Sequence, residues 1–209
     1  MNSRPAIDVS ALPESVVDHR SLVWWGNNLL IVVETTMFAL LVAGYFYVRP
    51  NFTSWPPPQV NQPIAHFDPV PALGVPTINL ILLIVTLAPM IWADWACLKH
   101  KRRTTEIALA LLILLGAGCV VLRCYEFPAL HFRWDDNAYA SIVWTIMGLH
   151  LLHLVVAVLE MVMMLTWVLV KGLDDKHARD VRVTAVYWYW IVGTWIILYG
   201  IIIPGPRFF

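Results

Sequence analysis

Apolar residues along the chain fall into long runs, cut by short polar or proline-rich segments. The longest run, 138–170, reads AYASIVWTIMGLHLLHLVVAVLEMVMMLTWVLV. It exceeds the ~20 apolar residues that span a bilayer core. The runs predict helices at about 21–48, 75–98, 104–127, 138–170 and 183–203. The expected fold is therefore an all-α integral membrane protein. Residues 1–20 form a polar tail, and 21–209 form a single domain of five transmembrane helices. Aromatic pairs sharpen the boundaries, because Trp and Tyr settle at the membrane–water interface. Trp24 and Trp25 open the first helix, Tyr45, Phe46 and Tyr47 close it, and Tyr187-Trp188-Tyr189-Trp190 reads as the belt that opens the last. Pro76 suits the first turn of the second helix. Pro89 should kink it.

The polar positions inside these runs carry the chemical interest. Glu34 lies about twelve residues into the first helix, roughly 18 Å along its axis and near mid-membrane. His150 and His153 are three apart on the fourth helix, so their directions differ by roughly 60°. Glu160 follows His153 by seven residues, two turns on, along the same stripe. Such groups face protein, water or a polar ligand, and an intramembrane ionisable residue is by default a functional candidate. The alternative is that they are satisfied interior residues bonding neighbouring helices. Glu34 is expected to be protonated at neutral pH and to bond His150 or His153, which lie at similar depth. Arg123 and Glu126, three apart in the last turn of the third helix, could pair at the surface or contact a lipid headgroup or a subunit.

Composition supports the membrane assignment. Of 209 residues, 59% are hydrophobic and only 13% charged, against about 25% charged in a soluble domain. The formal net charge of zero gives no sign of nucleic-acid binding. The N-terminal residues lack the apolar core of a secretory signal. Cys97, Cys119 and Cys124 fit no metal spacing. Basic residues cluster on one side: Arg4 and Arg20 in the tail, Lys99 to Arg103 in the second connection, Lys171 to Arg182 in the fourth. The positive-inside rule then places the N-terminus in the cytoplasm and the C-terminus outside, in the periplasm of a bacterium. Residues 49–73 hold Trp55-Pro56-Pro57-Pro58 and further prolines, so they read as an ordered loop that is functional or docks on a partner.

No catalytic constellation follows from these residues. One helix face cannot supply both axial ligands of a haem. No Glu-x-x-His motifs on paired helices build a di-metal site. No repeat of interrupted helices suggests a transporter. A small channel or transporter using Glu34, His150, His153 and Glu160 remains the reading from a different class.

The chain resembles subunit III of haem–copper terminal oxidases. The resemblance rests on Glu34 with Met37-Phe38 and Tyr45-Phe46, on Val75-Pro76-Thr77-Ile78-Asn79, on Leu122-Arg123-Cys124-Tyr125-Glu126, on Gly148 to His153, and on Tyr187-Trp188 with Trp195 and Leu198-Tyr199. It looks like the five-helix bacterial form, without the first two of the family's seven helices. Tyr189, Val192 and Leu151 stand where the family usually has His, Asp and Gly. The accessory subunit of nitric oxide reductase and a quinol oxidase subunit III are related alternatives. The resemblance implies a multi-pass subunit of the bacterial inner membrane with no metal or cofactor of its own, in a cytochrome c oxidase of aerobic electron transport. Haem and copper are expected in partner subunits. Direct packing on subunit I, subunit II in the same complex, bound phospholipid and support of proton uptake are also implied. Trp55, Arg123, Glu126 and Trp188 are the candidate lipid or subunit contacts. The lipid is expected in a cleft between an arm of helices one and two and the remaining three.

Overall fold

A computed structural model describes residues 21–58, 68 and 70–208. The expected cytoplasmic tail, 1–20, and the middle of the proline-rich loop, 59–67, lie outside the described residues. The helices are α1 (Leu22–Val48), α2 (Gly74–Val85), α3 (Leu87–Leu98), α4 (Arg102–Glu126), α5 (Ala138–Lys171) and α6 (Asp175–Ile202). Among the described residues, and with α2 and α3 taken as one span, five helices are long and apolar enough to cross a membrane.

Local chemistry sets the ends. Ser21 Oγ accepts the Trp24 amide at 3.2 Å, Asn137 Oδ1 the Ala140 amide at 2.9 Å, and Asp174 Oδ1 the His177 amide at 2.9 Å. Each side chain satisfies an amide left free by the first turn of its helix. Gly172 stops α5 with a φ of 89°, where a side chain would be strained. The second span is interrupted at Thr86, three residues before Pro89. Proline has no N–H to give the Val85 carbonyl, so the ladder opens there. Thr86 Oγ1 donates to Leu83 O at 2.5 Å and accepts from Trp188 Nε1 at 2.9 Å.

The last helix departs from the sequence expectation. It starts at Asp175, not at about 183, because the Asp174 cap lets the charged segment 175–182 continue the helix. Apolar runs mark where a helix is buried in lipid, and polar residues can extend it beyond that limit. Tyr187-Trp188-Tyr189-Trp190 therefore does not open the helix. This run sits in the middle of α6, and Tyr187 and Trp188 are core residues, not an interfacial belt.

The spans α2–α3, α4, α5 and α6 pack as a bundle, with α4 against α2, α3 and α5, and α6 against α2, α3 and α5. Gly116 brings α4 close: a Cβ there would lie 2.9 Å from Val158 Cγ2 and 3.3 Å from Trp188 Cη2. The first helix rests on α5 and α6 from outside, and most of its large apolar side chains are exposed, among them Leu29, Val33 and Leu40. The expected arm of helices one and two is therefore not formed. The two pack on different faces of the bundle, because each follows its own apolar stripe rather than its neighbour in sequence.

Candidate functional site: two polar clusters in an apolar bundle

Glu34 is on the face of α1 that meets α5 and α6. His153 Nε2 is 3.5 Å from Glu34 Oε1, and both side chains are nearly enclosed. Phe38 and Trp190 pack beside the imidazole, with ring centroids 5.4 and 5.8 Å away. The Tyr187 phenol is directed at the Glu34 carboxyl. His153 Nδ1 lies 2.6 Å from the Leu149 carbonyl of the preceding turn. A carbonyl can only accept, so Nδ1 carries a proton. Nε2 is therefore the ring atom that faces the Glu34 carboxyl, and a proton on either partner would join the two.

Glu160 is two turns along α5 from His153 and does not join this pair. Its Oε1 accepts from Thr184 Oγ1 of α6 at 2.6 Å. His150 takes a third course. It is buried, with Nε2 3.3 Å from the Ile191 carbonyl and its ring 4.5 Å from that of Trp195.

The second cluster surrounds Trp195. The Arg123 guanidinium carbon is 3.5 Å from the Trp195 ring centroid. Arg123 Nη1 donates to Glu126 Oε2 at 2.6 Å, and Asn79 Nδ2 of α2 donates to Glu126 Oε1 at 2.5 Å. The side chains of Arg123 and Glu126 are 1% and 0% exposed. The expected surface pair is thus an interior ion pair, and Arg123, Glu126 and Trp188 are not on the surface as candidate contacts to lipid or a subunit. The reason is rotation: both members of the pair sit on the α4 face that meets α2, and Trp188 sits on the α6 face that meets Thr86. Trp55 keeps an open side. Its indole donates to Tyr45 Oη at 3.2 Å, and it lines a pocket of about 400 Å³ with Arg49, Pro50, Phe52 and Thr53. Among the described residues, no three His, Cys, Asp or Glu side chains are grouped as metal ligands.

A model of cytochrome c oxidase subunit III matches residues 15–203. The chain belongs to the cytochrome c oxidase subunit III family. Among similar proteins are the cytochrome c oxidase subunits 3 of Petromyzon marinus, 27% identical over 177 residues, and of Drosophila melanogaster, 24% identical over 180 residues. Both matches cover 84% of this chain and 66% of the relative. The chain spans just under two thirds of the length of the relatives it matches.

Several residues of this subunit III chain were hidden in its sequence. Asn79 and Trp195 enter the sequence reading only through the resemblance, Tyr187 also as belt, and Thr184 not at all. An amide in an otherwise apolar span is the one local signal among them, since an unpaired amide in lipid is costly. Nothing local marks Thr184 or Tyr187, whose roles come from the opposite helix.

Proposed function

We propose that the chain is the non-catalytic subunit III of a respiratory haem–copper oxidase in a bacterial plasma membrane. The family match across residues 15–203 carries this reading. In it the chain packs on subunit I, stabilises it, and holds phospholipid at the outer face of α1 and in the pocket beside Arg49 and Trp55. Haem and copper belong to subunits I and II. The N-terminus is cytoplasmic, as the basic segments 99–103 and 171–182 require. The Glu34–His153 pair supports proton uptake by holding one proton near mid-membrane.

The deciding experiment is purification of the intact complex through a tag on this chain. A cytochrome c oxidase shows haem a absorption and a copper A centre. Haem a without copper A points to a quinol oxidase. Haem b and c bands without haem a reassign the chain to a nitric oxide reductase. A chain that purifies alone and moves ions in liposomes overturns the subunit reading.

A further inference from the structure

Four polar atoms of the Trp195 and Glu126 neighbourhood are buried and have no protein partner: Asn79 Oδ1, Arg123 Nε, His150 Nδ1 and Trp195 Nε1. They come from four different spans, yet belong to one cluster. Arg123 and His150 both lie against the Trp195 ring, and Asn79 and Arg123 both bond Glu126. Orphaned groups of this kind are rare in folded chains and ask for an unseen partner. Here the chemistry of that partner can be read from the atoms. Arg123 Nε and Trp195 Nε1 can only donate. Asn79 Oδ1 can only accept. His150 Nε2 faces the Ile191 carbonyl and so carries the ring proton. Its Nδ1 is left as an acceptor, since a second proton would set an imidazolium beside the guanidinium.

A cation is excluded by Arg123, and an anion by the Glu126 carboxylate and the two acceptors. What fits is a small neutral molecule that both donates and accepts. We propose that ordered water is bound in this cluster, donating to Asn79 Oδ1 and His150 Nδ1 and accepting from Arg123 Nε and Trp195 Nε1. A buried water makes about three hydrogen bonds, within a range of two to four, so one or two molecules satisfy all four atoms. The water completes the solvation of an ion pair that four spans enclose.

Radiolytic labelling of the intact complex tests this, because hydroxyl radicals formed from bound water oxidise side chains that bulk water cannot reach. Trp188 is the internal control. It is as buried as Trp195, but its Nε1 is bonded to Thr86. Trp134, exposed in an outer loop, marks full reactivity. Trp195 is expected to oxidise several-fold faster than Trp188. Equal rates for the two, whether both are protected or both labelled, overturn the proposal. In a map of the complex that resolves waters, one or two peaks are expected, each within hydrogen-bond distance of at least two of the four atoms. A cluster without any such peak overturns it equally.

Discussion

The two polar clusters differ in what encloses them. Arg123 and Glu126 sit where α2, α4, α5 and α6 converge, with side chains 1% and 0% exposed. Glu34 and His153 sit on the seam where α1 rests on α5 and α6, with side chains 15% and 11% exposed. The first pair joins a permanent cation to a carboxylate at 2.6 Å, and an amide takes the other oxygen. The second is a longer contact of 3.5 Å, and one carboxyl oxygen, Glu34 Oε2, has no partner. A fixed charge can be tolerated only where several elements hold its counter-ion in place. With the proton role proposed for Glu34, the comparison assigns stability to one cluster and function to the other.

That assignment can be broken first at Glu126. Glu126→Ala leaves the Arg123 cation buried and uncompensated, a loss of roughly 3–5 kcal/mol. Thermal unfolding of the purified complex should show early release of this chain. A variant as stable as the parent would mean that the pair is not structural. Packing gives the next largest effect. Gly116→Val should cost about 1–3 kcal/mol, since overpacking a closed core forces backbone shifts. Gly44→Ala, on the loosely held α1 where a Cβ meets nothing within 4 Å, should instead be neutral or stabilise by up to about 1 kcal/mol. Equal losses at both positions would erase the difference between the two regions.

At Glu34 the expected order is reversed. Glu34→Gln keeps a polar group of the same shape, so the melting temperature should hardly change. Reaction with a hydrophobic carbodiimide should vanish, and the active lifetime of the oxidase during turnover should shorten. Unchanged activity over many turnovers would leave the pair a structural role only. The smallest effect lies at the N-terminus of α6, which both clusters share. The backbone amide of His177, and then its side chain, hold the Asp174 carboxyl below its ordinary range. Its pKa is lower folded than unfolded, so its contribution is complete above the usual carboxylate range. That contribution is lost as pH falls through the folded value. With the intrinsic pH dependence of exchange divided out, amides in the first turn of α6 should lose protection at acid pH in the parent, and independently of this group in Asp174→Asn. The same pH dependence in both would remove Asp174 as its cause.

The sequence by itself determined the number of spans, the interruption near Pro89 and the presence of Glu34, His150, His153 and Glu160 within apolar helices. These are properties of one run read along its length, because transfer into lipid depends on the local sum of apolar residues and proline removes its own hydrogen bond. It placed Tyr187-Trp188-Tyr189-Trp190 at the opening of the last helix, since hydropathy cannot see that a capped, charged segment continues a helix. Only the tertiary structure decided that His153, not His150, meets Glu34, that Glu160 pairs with Thr184, and that Arg123 and Glu126 turn inward. Each of these depends on the rotation and axial offset of one helix against another. Those are set by packing between residues as far apart as Asn79 and Glu126, or Glu34 and His153, and no single run contains them.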